Sequence, residues 1–139
     1  MVATSSGMCT EPIDMAALSA AVACPEAGAV VTFDGRVRNH DHGHSVTSLE
    51  YSAHPAAGRI IVEVAEEIAE RFDLHAVAVY HRTGALGIGD VALGAAVASS
   101  HRQEAFAAIA ALVDAIKLRL PVWKKQYFAD GTYEWSNCA

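Results

Sequence analysis

Residues 75–99, HAVAVYHRTGALGIGDVALGAAVAS, contain the pattern that decides the fold class. Two runs rich in valine and alanine, at about 75–82 and 91–99, flank a glycine-rich turn at 84–90, which predicts two strands joined by a turn. The glycines superficially resemble a phosphate-binding loop. A dinucleotide fingerprint requires a helix directly after them, however, and the run that follows has the composition of a strand. We therefore interpret these glycines as turn residues.

A long amphipathic helix is predicted on the N-terminal side of this segment. Apolar residues recur at helical spacing from Ile61 to Phe72, glutamates occupy the opposite face, and Pro55 suits the first turn. Nearer the N-terminus, β-branched runs predict strands and polar runs predict loops. The predicted segments are a loose N-terminus at 1–10, a short helix capped by Asp14 and ending near Ala23, strands at 28–38 and 46–51, and a loop at 39–45.

A second long helix is predicted on the C-terminal side. Ser100 suits its N-cap, Gln103 would complete a capping box, and Pro121 ends the helix. Two short strands, at 122–128 and 133–135, then form a closing hairpin. The predicted core-facing stripe of the helix consists of Phe106, Ile109, Leu112, Val113, Ile116 and Leu120.

The 139-residue chain is 53% hydrophobic and shows neither an internal repeat nor a linker, which predicts one domain spanning 1–139. Strands and helices are interspersed, and hairpin-type links join the strands. This arrangement favours an α+β domain with a mostly antiparallel sheet and two long helices over a doubly wound fold.

The distribution of positive charge is more informative than the net charge of −6. The acidic balance argues against nucleic-acid binding, which usually needs a basic stripe. All three lysines nevertheless fall between residues 117 and 125, together with Arg119. This concentration favours an anionic ligand there, and a solvated basic patch is the alternative.

Cysteine spacing and hydropathy bear on location. Cys9, Cys24 and Cys138 form no CxxC pair, so a disulfide framework or zinc site is not predicted and a reducing compartment is expected. The first 25 residues lack the positive and apolar regions of a signal peptide, and no later segment is apolar enough to span a membrane. We therefore expect a cytoplasmic protein.

Alternating histidines in the predicted loop, His40, His42 and His44, raise the question of a metal site. Gly43 and the polar surroundings predict a mobile loop, whereas a metal site needs fixed ligands. We expect no metal here, and interpret the segment as a flexible loop that closes over a ligand or contacts a partner.

Two positions of the second long helix are candidates for anion binding. His101 and Arg102 are predicted in its first turn, where free backbone N–H groups and the helix dipole favour an anion. An ion pair of Arg102 with Glu104 or a neighbouring acid is the alternative. Lys117, near the other end, is predicted at the rim of the apolar stripe, from which it can reach a pocket or extend into solvent.

Strand alternation sorts the remaining candidates. Arg36 and Arg38 are two residues apart, so they are predicted to point to one side at the end of their strand. Lys124 shares a strand face with Gln126, whereas Lys125 is predicted on the opposite face. Adjacent lysines on opposite faces are not expected to share a role.

Together these segments resemble the large, catalytic subunits of molybdopterin synthase, the MoaE family. Six matching motifs follow the family's order within residues 28–135, so the resemblance is specific although no single motif would be. The motifs are VTFDGRVR at 31–38, LEY at 49–51, YHRxG at 80–84, SHRxxAF at 100–106, DxxK at 114–117 and PxWKK at 121–125.

The resemblance implies an α/β-hammerhead fold and a homodimer within a heterotetramer, with one small ubiquitin-like subunit docked on each end. That sulfur carrier ends in Gly-Gly, activated as a thiocarboxylate, and its tail enters a pocket of the large subunit. Two sulfur transfers to cyclic pyranopterin monophosphate give the dithiolene of molybdopterin. No cofactor of the large subunit is expected.

Motif positions also assign the residues of the pocket. Lys117 and Lys124 match the family's catalytic lysines. Gln126 stands where relatives often carry glutamate, so the pocket is expected to lack an acid at that position. The substrate-binding residues implied are Arg36, Val37, Arg38, His101, Arg102, Lys117, Lys124, Lys125 and Gln126.

Physical chemistry agrees with this assignment. A thiocarboxylate and a cyclic phosphate are both anions, so bringing them together in a water-poor pocket requires fixed cations. Arg38, His101 and Arg102 are expected to hold the phosphate. Lys117 is expected to orient the thiocarboxylate and exchange a proton, and Lys124 to neutralise the phosphate as its ring opens.

Two other functions remain as alternatives. A non-catalytic anion-binding or assembly module could have the same fold, although the intact set of lysines disfavours it. A hydrolase that uses the histidines is the other, but no serine or cysteine nucleophile stands in a suitable motif.

Overall fold

Strand pairing organises the chain in the computed structural model, which describes residues 2–137. The elements, in chain order, are β1 (Ala3–Cys9), α1 (Met15–Val22), β2 (Ala29–Arg36), β3 (His40–Asp41), β4 (His44–Ala53), α2 (Ala57–Arg71), β5 (Ala76–Arg82), β6 (Gly84–Gly87), β7 (Val91–Ser99), α3 (Arg102–Arg119), β8 (Val122–Phe128) and β9 (Tyr133–Ser136). The predicted α+β class, with a mostly antiparallel sheet and two long helices, is confirmed.

The first sheet has the strand order β1-β5-β7-β2. β1 pairs with β5 in parallel, whereas β5 with β7 and β7 with β2 are antiparallel. Helices cover both faces of the central strands. Val77 and Val79 of β5 belong to the core under α2 and α3, whereas Ala76 and Ala78 pack against Leu18 of α1 on the other face. Burial on both faces explains why these strands are continuously apolar in the sequence.

The second sheet has the strand order β3-β4-β8-β9, and β6 also pairs with β4. In the antiparallel pair of β4 with β8, Tyr51 lies opposite Lys124 and Leu49 lies opposite Gln126. Residues directly opposite each other share a face of the sheet. These four side chains therefore point to the same side, where the second sheet meets the end of the first.

The prediction of a loose N-terminus at 1–10 is wrong, because residues 3–9 form β1. This strand runs along β5 from the Ala3–Ala76 pair to the Cys9–Arg82 pair, and Ser5 Oγ is hydrogen-bonded to the Tyr80 hydroxyl. β1 is an edge strand whose first three side chains are exposed and whose last four are half-buried. Backbone pairing with β5 and the packing of Met8 against the core hold it in place, and neither composition nor hydrophobic periodicity reveals such pairing.

The predicted loop at 39–45 is a tight hairpin instead. β3 pairs with β4 through His40–Ser45 and Asp41–His44, and His42 and Gly43 make the turn with φ of 48° and 80°. Two consecutive residues with positive φ match the turn that joins twisted antiparallel strands. The predicted glycine turn at 84–90 also differs from the structure. Its first four residues, 84–87, form the strand β6.

The start and the buried face of α3 differ from the prediction. His101, not Ser100, is the N-cap and makes no capping hydrogen bond, while Ser100 Oγ is hydrogen-bonded to His75 Nε2 at 2.8 Å. The predicted core residue Phe106 is 58% exposed. The helix packs on the sheet through the face that contains Ala105 instead. The short side chain of alanine lets the helix approach the sheet closely. The buried residues of α3 are Ala105, Ala108, Leu112 and Ile116.

The predictions for the cap of α1, the bounds of β7 and the apolar face of α2 are confirmed. Asp14 caps α1 by accepting from Ala17 N at 3.1 Å, and β7 has the predicted bounds. α2 buries the predicted apolar residues from Ile61 to Ile68, although it begins at Ala57, two residues beyond Pro55. Cys9 and Cys24 are free thiols, and Cys138 lies outside the described residues. No helix within residues 2–137 combines the length and apolarity needed to cross a bilayer.

The packing of α1 on β7 predicts opposite effects for two Gly→Ala substitutions. A Cβ at Gly94 would lie 2.7 Å from Ile13 Cγ2 and 2.8 Å from Met15 Sδ, whereas a Cβ at Gly58, in α2, meets nothing within 4 Å. We expect Gly94→Ala to lower the free energy of unfolding by about 1–3 kcal/mol. Gly58→Ala should raise it by roughly 0.5–1 kcal/mol, because alanine favours the helix. Urea unfolding of both variants measures the change in the free energy of unfolding. An unchanged free energy of unfolding in Gly94→Ala would contradict the close packing of α1.

Candidate active site

A cavity of about 350 Å³ lies where the two sheets meet. Its floor is largely apolar, with Val37, Leu49 and Leu93 each buried to 6% exposure or less. Its polar lining comes from β2 and the segment after it, β3, β4, β5, the last turns of α3, and β8. The charged and polar side chains around the floor are Arg36, Arg38, His40, Asp41, Tyr51, His81, Lys117, Lys124 and Gln126.

Arg36 and Arg38 are held at the rim by the way β2 ends. The pairing register with β7 shifts between Gly35 and Arg36, and Val37 is then anchored through its backbone, whose N donates to Asp90 O at 3.0 Å and whose O accepts from Gly89 N at 2.7 Å. Val37 is thereby buried, with an arginine on each side of it.

The ion pairs of these two arginines are weak enough to exchange for a ligand. Arg36 Nε lies 2.6 Å from Asp34, and Arg38 Nη2 lies 3.2 Å from Asp41, but the arginine side chains are 63% and 68% exposed. Ion pairs this accessible contribute little because water screens them. Both guanidinium groups therefore remain able to bind an anion in the cavity.

Lys117 and Lys124 approach the cavity from different elements. Lys117 follows the buried Ile116 in α3 and lies on the exposed side of the helix, at the cavity wall. Lys124 is half-buried and, as predicted, shares its strand face with Gln126. The two catalytic candidates are thus brought together although they stand on a helix and a strand.

Gln126 links the cations to the only acidic side chain that lines the cavity within the described residues. With its amide oriented to satisfy both neighbours, Gln126 donates to Asp41 Oδ2 at 3.1 Å and accepts from Lys124 Nζ at 3.0 Å. Asp41 in turn accepts from Arg38 at 3.2 Å. Hydrogen bonds thus connect Arg38, Asp41, Gln126 and Lys124 across the cavity.

Asp41 remains ionised in this position. Desolvation acts to raise its pKa, but hydrogen bonding and charge from His42, the charge of Lys124 and the hydrogen bond from Arg38 together outweigh it, and the pKa of Asp41 is lower than usual. The cavity therefore holds one negative charge among several positive ones, which leaves it a site for anions.

His81, at the floor, was not selected from the sequence as a site residue. It ends an apolar strand and is fully buried, with its ring edge-on to Tyr51 at 4.7 Å between centroids. Burial lowers the pKa of His81 to about 4, and the charge of Lys117 acts in the same direction, against a hydrogen bond to Arg82 O. The motif YHRxG at 80–84 contained the signal, since a histidine in a continuously apolar strand must have a buried role or partner.

Three of the predicted binding residues lie away from this cavity. His101 and Arg102 are exposed at the start of α3, whereas Lys117 is near its end, so the two sites are separated by about 22 Å along the helix. Arg102 and Glu104 do not form the alternative ion pair within the described residues, and Glu104 accepts from Asp73 N at 3.2 Å.

Lys125 is the third predicted binding residue that lies away from the cavity. It stands on β8, and its side chain faces the other side of the sheet. Its ammonium lies over the rings of Tyr127, Tyr133 and Trp135, at 4.9, 4.3 and 5.4 Å from their centroids. This aromatic cage stabilises the β8–β9 hairpin from outside. The sequence separated the faces of Lys124 and Lys125 correctly but gave no sign of the cage.

The histidines at 40–44 stand on a hairpin rather than a loop, and only His40 lines the cavity. His42 Nδ1 lies 3.2 Å from Asp41, and the His44 ring packs on Phe128. Within residues 2–137, no three His, Cys, Asp or Glu side chains are grouped as ligands for a metal ion.

Comparison with known proteins agrees with the motifs. The family model described as MoaE protein matches residues 8–119. Molybdopterin synthase catalytic subunit 1 of Mycobacterium tuberculosis is 38% identical over 126 residues, which cover 90% of this chain and 85% of that protein.

Two solved structures extend the comparison to the fold. Molybdopterin synthase from Staphylococcus aureus superposes with a TM-score of 0.87 at 32% identity, covering 94% of this chain and 96% of that one. A chain from a complex of subunits 1 and 2 of molybdopterin-converting factor from Helicobacter pylori superposes with a TM-score of 0.75, covering 94% and 89%. Its identity of 16% makes that likeness evidence for the fold alone.

The lowered pKa of His81 predicts that stability falls in acid. In the unfolded chain the His81 ring binds a proton below its ordinary pKa of 6.5. In the folded chain its pKa is about 4, so it binds a proton only below that pH. Between these values the unfolded chain binds more protons, so stability rises with pH. We expect wild type to lose about 2 kcal/mol more than His81→Gln when the pH falls from 7 to 5. Urea unfolding at both pH values measures the difference, and parallel losses would contradict the burial of a neutral ring.

Proposed function

Because the chain belongs to the MoaE protein family of molybdopterin synthase catalytic subunits, sulfurtransferases of molybdenum cofactor biosynthesis, we propose that its cavity is the site of sulfur transfer. The sulfur is carried as the C-terminal thiocarboxylate of a small subunit ending in Gly-Gly, and the acceptor is cyclic pyranopterin monophosphate. Two such transfers give the dithiolene of molybdopterin, and each carrier leaves as a carboxylate after water cleaves the bond between its carbonyl carbon and the transferred sulfur.

One observation carries this proposal: four cations from three parts of the chain surround an apolar floor. Arg36 and Arg38 come from the end of β2, Lys117 from α3 and Lys124 from β8. Cations on rigid elements in a partly dry cavity stabilise charge at little cost in reorganisation. The reaction needs this arrangement, because both substrates are anions. The non-catalytic alternative is not favoured, since a purely structural module has no need to concentrate like charges.

The cavity suits the proposed substrates in size as well as charge. Its volume of about 350 Å³ is at the small end of the range for ligand sites. A Gly-Gly tail has no side chains, so it can enter beside a small second substrate. Val37 and Leu49 provide an apolar floor beneath the reacting groups.

We assign the roles of the lysines from their positions. Lys117 orients the thiocarboxylate and exchanges a proton as sulfur is transferred. Lys124 neutralises the phosphate as its ring opens, and the hydrogen bond to Gln126 fixes its direction. Arg38 binds phosphate after releasing Asp41, and Arg36 supports it at the rim. Gln126 suits this network better than a glutamate would, because a second carboxylate beside Asp41 would repel it.

His101 and Arg102 take part only if a second copy of the chain supplies them. Within one chain they lie about four turns of α3 from Lys117. We propose that the protein is a homodimer in which the start of α3 of one protomer adjoins the cavity of its partner. The carrier then docks at each end of the dimer, as a heterotetramer.

Reconstitution with a thiocarboxylated Gly-Gly carrier and cyclic pyranopterin monophosphate tests the function, and three lysine variants test the site. Lys117→Ala and Lys124→Ala should each lower kcat by about 100-fold or more, because they remove cations that act on the reacting groups. Lys125→Ala is the matched control on the opposite strand face. It should keep kcat within about threefold, because its charge lies outside the cavity. Molybdopterin formed per minute is the measurement.

Each outcome of this experiment is informative. Wild type without turnover would overturn the sulfurtransferase assignment. Near-normal turnover by Lys117→Ala would remove that lysine from the mechanism. A loss in Lys125→Ala equal to that in Lys124→Ala would mean that both ammonium groups act in the cavity, against the observed strand faces.

Mixed dimers test the proposed contribution of the second copy. Lys117→Ala and Arg102→Ala chains, each inactive alone, are co-expressed with different affinity tags and the mixed dimer is isolated. If each site combines Lys117 of one protomer with Arg102 of the other, one of the two sites is intact and about half of wild-type activity should return. Recovery of no activity would mean that both residues act within one chain or that Arg102 acts elsewhere.

A further inference from the structure

His81 has no role in the reaction proposed above, although its position in the cavity is unusual. Its Nδ1 lies 2.9 Å from the carbonyl oxygen of Arg82. A carbonyl can only accept, so Nδ1 carries the proton, and in the neutral ring Nε2 is an acceptor. Nε2 is buried and has no hydrogen-bond partner within the described residues. A buried acceptor left unsatisfied is costly, so it calls for an explanation.

The ring of His81 is fixed in direction. Residues alternate across β5, and His81 has the parity of Val77 and Val79, which face α2 and α3. It therefore points toward the side of the sheet where α3 ends with Lys117, and both residues line the same cavity. Edge-on contact with Tyr51 and the bond to Arg82 O leave the ring little freedom to turn.

The groups that face this part of the cavity make a neutral acceptor suitable. They comprise four cations, one carboxylate and two other polar rings, namely Arg36, Arg38, Lys117, Lys124, Asp41, Tyr51 and His40. A carboxylate at position 81 would orient Lys117 but cancel its charge toward an anionic substrate. A protonated imidazole would repel Lys117. A neutral imidazole nitrogen can hold the ammonium and leave its charge available.

We infer that His81 is a positioning residue for Lys117, whose ammonium donates a hydrogen bond to His81 Nε2 when the anionic carrier tail enters the cavity. An ammonium has three donors, so Lys117 can keep another partner at the same time. The bond sets the position of the Lys117 nitrogen relative to the thiocarboxylate, and no proton is gained or lost by His81. This inference rests on the proposed function.

Three variants separate the two ring nitrogens. His81→Gln keeps an acceptor near the position of Nε2. His81→Asn keeps a donor near the position of Nδ1 and deletes the acceptor, and His81→Phe keeps the ring against Tyr51 and deletes both. In the sulfur-transfer assay we expect His81→Asn and His81→Phe to lose about tenfold or more in kcat with KM for the carrier changed by less than about threefold. His81→Gln should stay within about threefold of wild type in kcat.

A second measurement does not depend on the reaction. The protein has three lysines, so trace acetylation of the intact chain followed by mass spectrometry reports Lys117, Lys124 and Lys125 separately. Inorganic thiophosphate serves as the anion probe that fills the cavity. With the probe present, the labelling of Lys117 relative to Lys125 should be at least about threefold higher in His81→Asn and His81→Phe than in wild type, because the ammonium is no longer held. His81→Gln should match wild type.

The outcomes distinguish this inference from the function on which it rests. Wild type without turnover overturns the function, and the labelling ratios then still decide the contact between His81 and Lys117. Normal kcat in His81→Asn and His81→Phe, or an unchanged labelling ratio, overturns the inference alone. If every variant, including His81→Gln, loses activity in proportion to its loss of folded protein, His81 is only a core residue and the inference is wrong.

Discussion

The antiparallel pair of β5 with β7, buried on both faces, is the constraint on which the rest of the structure depends. Its backbone hydrogen bonds are satisfied within the sheet, so both faces can be dry and apolar. Helices α2 and α3 cover one face and α1 covers the other. Because α3 follows directly from β7 and packs back on the sheet, its last turns are brought to the end where β5 finishes. Lys117 and His81 meet there as a consequence of the core.

Because these elements converge, the cavity holds several positive charges close together although they repel one another. Arg36, Arg38 and Lys124 are fixed by a register shift, a hairpin and a strand, each determined by backbone pairing. Asp41 and Gln126 connect two of these cations without neutralising the group. The remaining excess of positive charge costs folding energy, which an anionic ligand offsets when it binds.

The sequence predicted those parts of the fold in which periodicity and burial coincide. α2 has large apolar residues on one face, and β7 is continuously apolar, so both were predicted closely. The first half of α3 was misjudged because alanines make up its buried face there, while Phe106 is exposed; Leu112 and Ile116 are buried as predicted. β1 escaped detection because it is an edge strand of mostly polar and small residues, held largely by backbone pairing with β5.

The candidate site was also predicted only in part from the sequence. Motifs and alternation brought Arg36, Arg38, Lys117, Lys124 and Gln126 to one cavity before the fold was known. Asp41, Tyr51 and His81 were missed, because their importance comes from neighbours that are distant in the chain. Lys125 was included by its position in the PxWKK motif, and its aromatic cage depends on the partner strand β9. Motif matching therefore identifies the cations of a site better than the residues that surround them.

The two ends of α3 show how stability and function compete in this chain. Lys117 and Arg119 lie at the C-terminal end, where cations are favourable for the helix dipole, and Arg119 also pairs with Glu67. Arg102 lies at the opposite end, where a cation is unfavourable, and the N-cap His101 leaves the first backbone N–H groups without a side-chain cap. Neither feature helps the helix by itself. Both become favourable when a phosphate approaches, since the free N–H groups and the two side chains then act on the same anion. The cost accepted at the start of α3 is therefore a physical argument that His101 and Arg102 serve a ligand, and the length of the helix places an anion bound there about four turns from the cavity of the same protomer.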